Sequence, residues 1–96
     1  MGTNYYVTFP DREPIHLGKR NAGCAFIFRA QPWFTSDNAT DEWGKLLPTG
    51  IIRDEYGHIL NPETMWLIAK DEADAQLPWG DFYTSDGFAF VYGDFS

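Results

Sequence analysis

The chain has few residues capable of nucleophilic or metal chemistry: Cys24, His16 and His58 are its only thiol and imidazoles. Cys24 could attack a substrate with either histidine as base, but it falls inside an apolar, alternating run. There desolvation raises a thiol's pKa and makes it inert. No pair among the three has a zinc-type spacing, so no metal and no cofactor are expected. The adjacent acids Asp54-Glu55 and Asp71-Glu72 could in principle move protons, but on a turn and at a helix end such pairs read as solvated. The last polar cluster is the run Gly18 to Gly23, in which Lys19, Arg20 and Asn21 could hold an anion. It is not a Walker loop, because a strand and not a helix follows it, and a polar hairpin loop is the better reading. The chemistry-bearing residues therefore predict a protein that is not an enzyme.

The elements that must position these residues begin with Cys24–Ala30. Cys24, Phe26, Phe28 and Ala30 alternate with Ala25, Ile27 and Arg29, which is a strand period. Ile15–Leu17 leads into the polar loop as the first arm of a hairpin. Tyr5–Phe9 is a short strand stopped by Pro10, and Asp11–Pro14 a charged turn. Trp33–Asn38 reads as loop. Thr40 caps a short helix running to Leu47, with Asp41 and Glu42 in its first turn and Gly44 weakening it. Ile51–Arg53 and His58–Leu60 form a hairpin around Asp54-Glu55-Tyr56-Gly57. Asn61-Pro62-Glu63 starts a second helix whose apolar stripe carries Met65, Ile68 and Ala69, while Leu67 points away. After the break at Leu77 to Gly80, Phe82–Thr84 and Phe88–Tyr92 close the chain as a hairpin over Ser85-Asp86-Gly87. This order predicts one α+β domain over residues 1–96, a small antiparallel sheet with two helices packed on one face.

Composition adds a charge asymmetry. The formal net charge is −7 and aromatics make up 18% of the chain, enough to build a core from large rings. Residues 1–36 carry +2, residues 37–70 carry −3, and residues 71–96 carry six acids and no Lys or Arg. An acidic end repels phosphate and attracts basic surfaces, so direct nucleic-acid binding is disfavoured and a basic protein partner is favoured. The absence of a signal-peptide pattern and of a long apolar run predicts a cytoplasmic protein with no membrane partner.

Four segments give the chain a further character: Met1–Tyr6 (Met-Gly-Thr-Asn-Tyr-Tyr), His16–Cys24, the Asp54–Gly57 turn, and the Gly93–Ser96 close. In this order they resemble a group of small uncharacterised proteins encoded by phages and prophages. In that group the second segment is similar to His-Ile-Gly-Lys-Ser-Ser-Ala-Gly-Trp. The resemblance spans most of the chain and implies a phage origin and a bacterial cytoplasm, with no assigned activity. Similar proteins often carry a Cys-x-x-Cys pair before the histidine. Here that interval, Pro10–Ile15, has no cysteine, and Cys24 replaces a usual aromatic residue.

Charge and resemblance together predict a non-enzymatic accessory protein that binds a bacterial host or phage protein. Its most specific form is an acidic, anti-CRISPR-like inhibitor of a defence or nucleic-acid-processing complex. The expected partner surface comprises Asp71, Glu72, Asp74, Trp79, Asp81, Tyr83, Asp86 and Asp94, with Tyr92 and Phe95 nearby as further aromatic anchors. The alternative is a small single-stranded nucleic-acid-binding module using Lys19, Arg20 and Arg29, with Phe26 and Phe28 as stacking faces.

Overall fold

The computed structural model describes residues 2–21, 25–70, 80–85 and 87–93. Strand β1 (Gly2–Phe9) turns at Pro10-Asp11 into β2 (Arg12–Asn21). After these come β3 (Ile27–Arg29), helix α1 (Ala39–Leu46) with a 3-10 turn over Leu47–Thr49, and the β4 (Ile51–Asp54) to β5 (Ile59–Leu60) hairpin. Helix α2 (Pro62–Lys70) and the hairpin of β6 (Phe82–Tyr83) and β7 (Ala89–Val91) complete the chain. All seven strands form one sheet in the order β5-β4-β1-β2-β3-β7-β6. Every neighbouring pair is antiparallel except β3 and β7, which run parallel. The α+β expectation holds, but the sheet is mixed. The closing hairpin is not tied to β3 by a short turn, so nothing local sets their relative direction.

Tyr5, Val7 and Phe9 of β1 are buried and alternate with half-buried Tyr6 and Thr8. Against them β2 carries an extra residue at two points, one between Arg12 and Ile15 and one at Leu17. Tyr6 pairs with His16 but Tyr5 pairs with Gly18, leaving Leu17 unmatched. This bulge brings Leu17 and Gly18 to the core side together and shifts the facing of everything after them by one position. Gly18 is obligatory there, since a Cβ would lie 2.3 Å from the Phe26 ring and 2.4 Å from the Ile27 carbonyl oxygen.

The expected loop over Lys19 to Asn21 is therefore strand. Lys19 pairs with Asn4 on one side and Ile27 on the other, and Asn21 pairs with Gly2. Local composition suggested a turn, yet neighbours on β1 take up the backbone groups of this run and those on β3 those of Lys19. Likewise β2 starts at Arg12, so Arg12 to Pro14 are strand where a charged turn was expected.

Helix α1 begins two residues earlier than the Thr40 cap implied. Asn38 holds the cap position, but its side-chain Oδ1 accepts the Thr35 N–H at 2.7 Å and caps nothing in the helix. The start of α2 follows expectation: Asn61 Oδ1 accepts the Thr64 N–H at 2.7 Å, with Pro62 at the first helical position.

Both helices and the 3-10 turn contribute to one cluster, through Ala39, Trp43, Leu47, Met65 and Ala69, packed on Tyr5, Val7, Leu17, Phe26, Phe28 and Phe90. Phe28 is its centre. Its ring centroid lies 4.7 Å from Phe26, 5.0 Å from Phe90, 5.2 Å from Phe88 and 5.7 Å from Trp66. The Trp43 Nε1–H donates to the Arg29 carbonyl at 3.0 Å, so the ring that pins α1 also satisfies its one polar atom. Phe28→Ala is expected to cost about 3–5 kcal/mol, and Gly18→Ala about 1–3 kcal/mol from forced overpacking. Urea unfolding of both variants measures this; an unchanged midpoint for Gly18→Ala would contradict the bulge.

Candidate functional site

A concavity lies between the two helices. One wall is α1, through Thr40, Asp41, Gly44 and Lys45, spaced so that they share a helix face. The other wall is α2, through Trp66 and Lys70, one helical turn apart, and Phe88 lies at the base. The groove is about 520 Å³, within the range of small-molecule sites. Trp66 is held by rings on its inner side, 5.7 Å from Phe28 and 5.9 Å from Phe88. Lys45 Nζ reaches Glu42 Oε2 at 3.4 Å and remains largely exposed. Gly44 is the odd member of the wall. It costs α1 about 1 kcal/mol relative to Ala, its φ is not positive, and a Cβ there would meet nothing within 4 Å.

A second polar group lies on the sheet face opposite the helices. Strand pairing sets Ile59, Arg53, Tyr6 and His16 in one row across β5, β4, β1 and β2. The Tyr6 and His16 rings are 5.2 Å apart. Glu55 Oε1 accepts the Asn4 backbone N–H at 2.7 Å and its side-chain amide at 3.4 Å. That contact turns the amide oxygen toward His16, and Asn4 Oδ1 lies 3.0 Å from His16 Nε2. In this orientation Nε2 carries the proton and donates. The relay Glu55–Asn4–His16 joins positions 4, 16 and 55, and only the pairing of β1 with both neighbours brings them together.

The residues singled out from sequence fare differently. Lys19 sits in the paired centre of the sheet, and Arg20, turned toward the helices by the bulge, donates from Nη1 to the Ile68 carbonyl at 3.0 Å. A cation suits that last turn of α2, and Lys19, Arg20 and Asn21 form no anion-holding loop. Phe26 and Phe28 are 1% and 0% exposed and offer no face to a base. Arg29 Nε donates to the Tyr92 carbonyl at 3.1 Å.

Within the expected partner surface, Asp81 Oδ2 accepts the Tyr92 N–H at 2.8 Å and so has a structural task, while Tyr83 is 43% exposed on the edge strand β6. Asp71, Glu72, Asp74, Trp79, Asp86 and Asp94 lie outside the described residues, as do Cys24 and Phe95. Among the described residues no three His, Cys, Asp or Glu side chains gather as a metal site, and no helix is long and apolar enough to cross a membrane. No protein-family model, no curated protein and no solved structure matches the chain.

The pair Asp54-Glu55 is divided between two tasks. Glu55 serves the Asn4 relay, and Asp54 organises the β4–β5 turn, in which Gly57 takes a φ of 88°. Asp54 Oδ1 accepts the N–H groups of Tyr56 and His58, both at 2.9 Å, and Oδ2 meets His58 Nδ1 at 2.9 Å. Desolvation pushes this carboxyl up, but the His58 and Tyr56 hydrogen bonds and the His58 charge outweigh it and hold it below its ordinary 3.8. Burial, with the Asp54 charge added, pushes the Tyr5 hydroxyl above its ordinary 10.0.

The two shifts predict opposite pH limits. Asp54 stabilises the fold above about pH 4, and that stability disappears as pH falls through its lowered value. Tyr5 contributes nothing adverse below about pH 10, and stability declines above it, where the unfolded chain loses its proton first. Asp54→Asn should flatten the acid limb of a stability profile and Tyr5→Phe the alkaline limb. Urea midpoints measured across pH check both.

Proposed function

We propose that this chain is a non-enzymatic accessory protein of phage type that works in the bacterial cytoplasm by binding another protein. Its most specific form is an acidic inhibitor that occupies the basic channel of a bacterial defence or nucleic-acid-processing complex, in the manner of an anti-CRISPR protein. The observation that carries the reading is the charge partition. Residues 71–96 hold six acids and no Lys or Arg, and the same part of the sequence carries Tyr83 and Tyr92, 43% and 42% exposed, at the β6–β7 hairpin. Aromatic anchors within a field of one sign suit an interface with a basic groove. The resemblance to small phage-encoded proteins supports the same setting.

The single-stranded nucleic-acid reading loses support by comparison. Its stacking faces, Phe26 and Phe28, are inside the core, and Arg20 and Arg29 are engaged with backbone carbonyls. A low-salt gel shift with a single-stranded oligonucleotide separates the two, and no shift at micromolar protein is expected.

Asp81 is unsuitable for a charge-reversal test because it holds the Tyr92 N–H. The triple change Asp71→Lys, Glu72→Lys and Asp74→Lys should abolish inhibition of DNA cleavage by a sensitive purified CRISPR effector complex. Tyr83→Ala should weaken binding by about 1–2 kcal/mol. Full inhibition by the triple variant at low salt would overturn the electrostatic basis.

A further inference from the structure

We propose that the groove between α1 and α2 is a binding site for a small planar aromatic molecule carrying an anionic group. The occupant differs from the basic partner invoked above, and the test does not depend on that reading. Three observations meet in the groove. Trp66 is backed by Phe28 and Phe88, so its outer side presents a rigid flat wall to any ring entering from solvent. Phe88, 4% exposed, closes the base with apolar surface. Lys45 and Lys70 line it from opposite helices, and among the described residues Asp41 is the only acid lining the space. A bound ring would lie against Trp66 and an anionic substituent would sit between the two ammonium groups, away from Asp41.

Gly44 supplies the argument that this space is kept open. Glycine in a helix interior is normally explained by a close approach or an unusual backbone angle, and neither occurs here. Among the α1 residues that line the groove, Gly44 is the one with no side chain, and the helix is weakened there. The volume of about 520 Å³ admits a two- or three-ring molecule and is too small for a helix or a folded partner.

The probe is 8-anilinonaphthalene-1-sulfonate, a ring system with one anionic group, titrated into the full-length chain while its fluorescence is read. Its uncharged relative N-phenyl-1-naphthylamine is titrated in parallel. One saturable site is expected, with the uncharged probe at least about fivefold weaker, since each exposed charge contact contributes modestly. Gly44→Leu should abolish binding while raising the melting temperature by about 4–8 °C, because leucine restores helix propensity. Lys45→Glu with Lys70→Glu should weaken the anionic probe about tenfold and leave the uncharged one unchanged. Lys19→Glu, in the middle of the sheet, should change neither. The proposal is overturned if the anionic probe does not bind, if both probes bind equally, or if binding survives Gly44→Leu.

Discussion

The close contact between Gly18 and the Phe26 ring governs how the rest of the molecule is arranged. The bulge that leaves Leu17 without a partner on β1 sends two successive residues of β2 to the core side. Only a residue without a Cβ can take the second place, because Phe26 and the Ile27 carbonyl already occupy the space. From that point the facing of β2 is reversed. Lys19 turns away from the helices, and Arg20 turns toward them and closes on the last turn of α2. A single inserted residue thereby decides which charges face α2 and which lie on the other side of the sheet.

The aromatic core depends on the same arrangement. Phe26 is pressed between Gly18 and Phe28, and Phe28 in turn contacts Phe88, Phe90 and Trp66. Ring contacts of this kind each add roughly 0.5–1.5 kcal/mol beyond area burial, and they are directional. They place β7 beside β3 and set Trp66 at the mouth of the inter-helix groove. Trp43 does the same for α1, with its indole N–H tied to the backbone of β3. The groove is thus what remains when two short helices are fixed at separate points on one aromatic layer.

Polar residues that looked interchangeable in the chain have divided duties. Asp54 is consumed by its own turn, Glu55 by the Asn4–His16 relay, and Asp81 by the Tyr92 N–H. Arg12 lies over the Phe9 ring at 4.3 Å, and Arg20 and Arg29 bond backbone carbonyls. Much of the charge in the first and middle parts of the chain therefore serves the fold. The acid-rich C-terminal quarter keeps its weight in the functional reading because its charge is a property of composition, independent of any single contact.

The amino-acid sequence by itself determined the elements whose signals are local. Asn61-Pro62 started α2, Gly57 set the β4–β5 turn, Met65 and Ala69 faced inward while Leu67 stayed out, and the alternation marked Phe26, Phe28 and Ala30 as buried, although the strand expected over Cys24–Ala30 forms only over Ile27–Arg29. Each depends on backbone angles or side-chain periodicity within a few residues, which composition specifies directly. Tertiary structure alone decided that Lys19 to Asn21 are strand, that β3 and β7 are parallel, that Glu55, Asn4 and His16 form a relay, and that Gly44 and Trp66 line one groove. All of these depend on partners far away in the chain. Strand pairing overrode a turn-like composition because neighbouring strands take up backbone hydrogen bonds that a loop would leave to water, and no window of sequence contains both halves of that exchange.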